Sequence, residues 1–291
     1  MANTITKYTD SLMMKSLLTR DFSFIGREFI DDKVTSIKAC AFMSAQNLDV
    51  ISLPAVKDVR TRAFENCSVQ TFDIPWEKLE RIGYCAFYQI PSGLPQNLVL
   101  TKVTALNNGA FAGNSTTKNT QLRSVSLPCW TGSTFLEGSG FSNFATNNTG
   151  VFAYCTAMTS FSAPELQSVP YCMLYYCSAI EEIVLPKVTS INGNAFSYCT
   201  KLKKLDIGGA VTRFSSAFIN YSNALEALIL RGVTTVPTIS SSVFSSSPIS
   251  KKTCYVYVPK SLENTFKVAS YWSNYASQIR AIEDYPDICG S

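Results

Sequence analysis

The chain reads as an α/β repeat solenoid, a right-handed superhelix. A parallel β-sheet runs along one face, short helices or turns along the other, and a helical cap closes each end. Three observations carry this. A Phe, usually preceded by Ala, returns at Phe42, Phe64, Phe87, Phe111, Phe152, Phe196, Phe218 and Phe244, with Leu174 in the same place. Most steps are 22 to 24 residues; the exceptions are 41, from Phe111 to Phe152, and 26, from Phe218 to Phe244. Next comes a run of the form apolar-x-x-apolar-x-apolar, often closed by Pro, as in "LDVISLP" from Leu48, "LRSVSLP" from Leu122 and "IEEIVLP" from Ile180. A second apolar pair completes the unit, for example Val56/Val59, Leu166/Val169 and Val188/Ile191. Self-similarity at such a period is the signature of a stacked array.

Taken in chain order, residues 1–28 are expected to cap the array, because an open solenoid exposes an apolar end. Asp10 would N-cap a short helix carrying Leu12, Met13, Leu17 and Leu18. About nine repeats are expected over residues 29–258. In each, apolar residues at i and i+2 with a polar residue between fit a half-buried strand. The following Pro has no N–H for a ladder and ends the pairing. The second apolar pair returns the chain inward. Ala then allows close approach while Phe fills the interior. A single unit cannot bury a sufficient core, and stacking supplies the remainder. Residues 259–291 form the expected second cap. Ser261 would start a helix bearing Leu262, Phe266 and Ala269, and Trp272, Tyr275 and Ile279 would continue its apolar side.

The period breaks in the middle. From Pro54, Pro164 or Pro186 to the next anchor is ten residues, whereas from Pro128 to Phe152 is twenty-four. The insertion, near residues 129–150, carries Trp130, Phe135, Phe141 and Phe144 among Gly, Ser, Thr and Asn. Insertions in repeat proteins map to loops and often mark a binding face. Two readings stay open for these aromatics: an adaptable contact surface, or rings folded back onto the solenoid.

Composition narrows the chemistry. There is no histidine, which removes His-based acid–base catalysis, Ser-His-Asp and Cys-His systems and imidazole zinc sites. The net charge is +4, from 25 basic and 21 acidic residues; a nucleic-acid surface shows a stronger basic stripe. Of the ten cysteines, Cys67, Cys155, Cys177 and Cys199 stand three residues after the anchor, and Cys40, Cys85 and Cys172 two residues before it. Neither column has Cys-x-x-Cys spacing, so a zinc site is not expected. Equivalent positions in stacked repeats predict buried free thiols acting as compact hydrophobes. Adjacent pairing within the Cys155, Cys177 and Cys199 column remains geometrically conceivable. Glu181 and Glu182 are neighbours on a strand and point to opposite faces, a poor acid–base pair. No catalytic residue, metal site or cofactor is expected. No apolar run reaches the roughly eighteen residues needed to span a membrane.

The segment "IEEIVLPKVTSINGNAFSYCTK", Ile180 to Lys201, closely resembles the repeat of BspA-like leucine-rich proteins, which pairs a leucine-rich strand and "LP" with a half ending in A-F-x-x-C. The resemblance covers about residues 29–258, and weakens at Leu174 and at Tyr221, which stands in the Cys place. It implies a curved leucine-rich-repeat solenoid without a shared catalytic site. The segment "YVYVPKSLENTFKVASYWSNYASQIRAI" is similar to the C-terminal caps of such proteins in gut Firmicutes and their prophages. The family implies a non-enzymatic recognition or adhesion module that binds a protein or glycan at a cell surface, with a phage or prophage tail as one setting. A bacterial adhesin for host extracellular-matrix protein is the alternative, and a carbohydrate-active enzyme a distant third. The expected location is extracellular, at a cell surface or on a virion, although the first residues, broken by Lys15, do not form a convincing signal peptide. Besides the insertion aromatics, the expected contact residues are the outward ones of the concave strand face: Thr71, Asp73, Ser124, Ser126, Ser160, Ser162, Glu182, Lys204, Asp206, Tyr255 and Tyr257.

Overall fold

The computed structural model describes residues 28–46, 48–134 and 150–290. The helix expected after Asp10, and Phe135, Phe141 and Phe144 of the insertion, lie outside the described residues.

Both apolar columns become strands. In chain order these are β1 (Glu28–Ile30), β2 (Ser36–Ile37), β3 (Leu48–Ser52), β4 (Asp58–Val59), β5 (Val69–Asp73), β6 (Arg81–Ile82), β7 (Asn97–Val99), β8 (Ala105–Leu106), β9 (Ser124–Ser126), β10 (Ser160–Ser162), β11 (Ser168–Val169), β12 (Glu182–Leu185), β13 (Ser190–Ile191), β14 (Lys204–Ile207), β15 (Ala227–Leu230), β16 (Tyr255–Val258) and β17 (Ile279–Ala281). The longer strands make the face sheet in three runs, β1-β3-β5, β7-β9-β10 and β12-β14-β15-β16-β17. Every pairing is parallel and joins equivalent residues of successive coils, as in Glu182↔Lys204↔Ala227↔Tyr255. Side chains alternate as the sequence pattern requires: Phe29, Leu98 and Phe161 point inward between exposed neighbours.

The second apolar pair does more than turn the chain inward. Its later residue joins a second parallel ladder, β2-β4-β6-β8 and β11-β13, extended by bridges from Ile191 to Phe214 and Arg213 to Thr238.

The Ala-Phe segments form turns, and among the described residues before 259 there is no α-helix. The cause lies in the backbone. Cys40, Arg62, Cys85, Cys172 and Asn194, each two residues before an anchor, hold φ between 52° and 59°. Ser44, Asn66, Gln89, Tyr154, Tyr176, Tyr198 and Ser246, each two residues after one, hold φ between 53° and 62°. Left-handed residues at that interval stop a turn from propagating into a helix. Alternate N–H groups then bond to the next coil, as in Phe64 N to Ala86 O and Asn66 N to Tyr88 O, both 2.8 Å. Three hydrogen-bonded ladders therefore run along the coil axis.

Between them lies one continuous core, from Phe29 to Ile279. The anchor rings of Phe42, Phe64, Phe87 and Phe111 stack with successive centroids 5.2 Å apart, and Phe152 follows at 5.6 Å. Leu174 interrupts this column.

At the C-terminal end α1 (Glu263–Val268) buries Phe266 against Trp272, ring centroids 4.9 Å apart. The Trp272 indole donates to Pro237 O at 2.7 Å. The apolar side does not continue as helix. Residues 272–278 wind as a 3-10 turn, and Ile279 then enters β17, which pairs with β16. Beyond it, the tail with α2 (Pro286–Cys289) turns back over the outward side of the sheet.

Candidate binding cleft

The expected contact residues fall into three groups. Near the N-terminal end Thr71 and Asp73 are exposed on β5, with Ser52 Oγ donating to Asp73. In the middle, Ser124 and Ser126 are half-buried, Ser160 and Ser162 exposed, and Ser124 Oγ donates to Asn97 Oδ1 at 2.7 Å. Near the C-terminal end the adjacent strands bring Glu182, Lys204, Asp206, Tyr255 and Tyr257 together.

Three expected contact residues have other positions. Trp130 has no exposed surface and its indole donates to Ser133 O at 3.0 Å. It belongs to the core, because it follows Pro128 at the distance at which Val188 follows Pro186. Thr131 and Ser133 continue the second ladder, accepting from Gln167 N at 2.9 Å and Leu106 N at 3.0 Å. Asp206 and Tyr257, expected in water, are buried at 5% and 3% exposure. The tail covers them: Ala227, Ile229 and Tyr257 pack with Cys289 and Ile282 in a small second cluster. Under this cover Arg231 grips Asp206 through Nε at 3.0 Å to Oδ1 and Nη2 at 2.8 Å to Oδ2. That carboxylate contact raises the Arg231 pKa. Burial pushes the Tyr257 phenol up to about 12.

Where tail and sheet diverge, they leave a cleft of about 680 Å³. One wall comes from the starts of β14 to β16, with Lys203, Lys204, Glu226, Thr253 and Tyr255; the other from the tail, with Tyr285, Asp287 and Ile288; Arg280 of β17 closes an end. Tyr255 and Tyr285 keep 43% and 37% of their surface exposed, and Tyr257 packs edge-on to Tyr285 at 5.5 Å. The lysines are neutralised across coils, Lys203 by Glu181 at 2.9 Å and Lys204 by Glu182 at 2.6 Å. The first pair lowers the Glu181 pKa and raises that of Lys203 through their hydrogen bond. Arg280 is held differently. Its Cζ lies 4.6 Å from the Tyr255 ring centroid, and Nη1 donates to Ser277 O and Ile279 O, both at 2.9 Å. Aromatic rings with a few converging charges form a pocket suited to binding. A second, smaller hollow of about 490 Å³ lies between β10 and β12, beside Ser160, Ser162 and Glu182.

Sequence reading did not find Arg280, Tyr285, Asp287 or Ile288. The one signal was the pair of outward tyrosines in "YVYVP"; the tail has no repeat to place it.

The cysteine column is structural. Cys155, Cys177 and Cys199 have no exposed surface. Each thiol donates to the anchor carbonyl of the preceding coil: Phe111 O at 3.5 Å, Phe152 O at 3.2 Å and Leu174 O at 3.2 Å. All ten cysteines are free thiols, and burial alone pushes Cys67 up to about 12. Among the described residues no group of three or more Cys, Asp or Glu could hold a metal ion, and no helix is long and apolar enough to cross a membrane.

The BspA type leucine-rich repeat region matches residues 26–146 and 145–271, in six copies. Among solved structures, the pneumococcal vaccine antigen PcpA aligns at 16% identity with a TM-score of 0.51, covering 87% of this chain. The alignment spans 65% of the antigen's own length. A leucine-rich repeat protein from Bacteroides ovatus aligns at 16% identity with a TM-score of 0.33, covering 87% of this chain and 83% of that one. No curated protein matches the chain. With repeats matched over most of its length and stacked as parallel coils, the chain belongs to the BspA-type leucine-rich repeat family.

Proposed function

We propose that the protein is a non-enzymatic recognition module that binds a protein or glycan at a cell surface, and that the contact is made in the cleft between the C-terminal tail and strands β14 to β17. One observation carries this reading: two half-exposed tyrosines, Tyr255 and Tyr285, face a concavity with a guanidinium that has no carboxylate partner among the described residues. Elsewhere the exposed apolar residues of the strand face, Ile30, Val99 and Val184, stand on separate strands, whereas the cleft sets two tyrosine rings beside a guanidinium. Trp130 is no longer available as an anchor, and this moves the reading from the insertion to the cleft.

The test is a binding screen of the full chain against bacterial envelopes, extracellular-matrix proteins and immobilised glycans. Tyr255→Ala with Tyr285→Ala should reduce binding at least tenfold, the loss of about 1.4 kcal/mol or more expected of an aromatic anchor. Removal of residues 135–148 should leave it unchanged. Loss through that deletion, with the tyrosine variant binding normally, would place the site in the insertion.

A further inference from the structure

We infer that the cleft takes an acidic saccharide and that Arg280 receives its carboxylate. The inference rests on the cleft being the contact site. It starts from three arginines that spend one edge of the guanidinium on a carboxylate. Arg81 meets Asp58 through Nε and Nη2, at 2.7 and 2.6 Å. Arg231 meets Asp206 through the same edge, with Nε at 2.9 Å and Nη2 at 2.8 Å from Oδ2. Arg62 uses it on Glu65. This edge presents two parallel N–H groups to the two oxygens of a carboxylate. Arg280 uses only Nη1, on two backbone carbonyls, while its plane lies over Tyr255. The Nε–Nη2 edge has no carboxylate among the described residues. Two carbonyls and a ring brace the group, so a ligand need not immobilise it, and less entropy is lost on binding.

The neighbours favour a sugar over other anions. Exposed Tyr285 and Tyr255 offer apolar ring surface to the C–H face of a pyranose. Glu226 and Asp287 line the same cleft without an ion pair of their own among the described residues and accept hydrogen bonds from hydroxyls. Those two carboxylates repel a densely charged chain. A polysaccharide with isolated carboxylates and free hydroxyls suits this arrangement better than a polysulfate or a run of acidic residues.

The experiment uses the full chain and isothermal titration with hyaluronan oligosaccharides, their methyl esters, dextran, dextran sulfate and an Asp/Glu-rich peptide. Carboxylated sugars should bind, with the esters and dextran at least about tenfold weaker, the loss of one charge-assisted pair. Arg280→Gln should give the same loss with the far-UV spectrum unchanged at the assay temperature, and Arg280→Lys should restore only part of it, since an ammonium cannot fork. Equal binding of acid and ester, preference for dextran sulfate or the peptide, or wild-type affinity in Arg280→Gln overturns the inference. If Tyr255→Ala abolishes ligand binding while Arg280→Gln does not, the cleft stands and the acid fails. If neither variant changes binding of a ligand that the whole protein captures, the cleft reading itself has failed.

Discussion

At the scale of the residue, the anchor carbonyls of Phe111, Phe152 and Leu174 account for the cysteines of the coils that follow them. Phe152 O accepts Cys155 N of its own turn at 3.2 Å and the Cys177 thiol of the next coil, also at 3.2 Å. In these three coils the position holds a small side chain with one proton to donate. Ser222 meets the same need one coil beyond Cys199, with Oγ 2.6 Å from Phe196 O. The thiols are held neutral by burial, which pushes Cys199 from 9.0 up to about 12. A raised acid pKa stabilises the fold fully below the unfolded value. The contribution is lost as pH rises from about 9 toward 12, because only the unfolded chain then ionises. Cys199→Ser should thus change stability by less than about 1 kcal/mol at pH 7. It should flatten the alkaline decline by about 1.4 kcal/mol per pH unit. Urea unfolding at pH 7, 9 and 10 checks both, and parallel declines would show that the thiol is not held neutral.

At the scale of the element, β15 departs from the others. Ala227–Leu230 is buried at all four positions, where a strand with one wet face alternates. Leu228 and Leu230 face the main core, and Ala227 and Ile229 face the tail. "LEALILR" carries a trace of this in the outward Ile229, but what covers it depends on the path of the chain after Ala281. Removing residues 282–291 should leave the far-UV spectrum nearly intact and expose Ile229 and Tyr257. The cost is about 3–6 kcal/mol for two apolar side chains, with a matching rise in hydrophobic-dye fluorescence. An unchanged dye signal would mean that the tail does not cover the sheet in solution. Trp130 teaches the opposite lesson. Its place was legible, since Val56, Leu166 and Val188 stand at the same distance after Pro54, Pro164 and Pro186, but the long gap after it drew the residue into the insertion. The insertion begins beyond Ser133, once Leu106 N has bonded to it.

At the scale of the whole molecule, stability comes from contacts between a coil and its immediate neighbours, and coils should be removable in whole units. Excising residues 43–64 takes out one coil and would set β1 beside β5 and β2 beside β6, each pair already equivalent in register. This variant should unfold cooperatively, with a lower heat of unfolding by about 0.7 kcal/mol per residue lost. Excising 43–53 alone turns the apolar side of the first coil outward, and limited proteolysis should then cut before the second anchor. Equal protection of the two variants would show that phase does not matter. Cross-coil ion pairs such as Lys187–Glu165, 2.6 Å apart with both partners largely exposed, contribute little to this, since exposed pairs add about 0–1 kcal/mol.

The period, the strand columns, the Phe spine and the thiol column were determined by the sequence itself. In a solenoid each of these contacts joins the same position of neighbouring repeats, so local spacing is enough to place it. The second ladder and the left-handed turns needed the structure, because backbone hydrogen bonds leave no mark in side-chain pattern. The cleft needed it more. Arg280 and Tyr285 meet Tyr255 and Tyr257 only because a non-repeating tail folds back across the sheet. No periodicity encodes a contact made once, and its position follows from which apolar surface the last coil leaves uncovered.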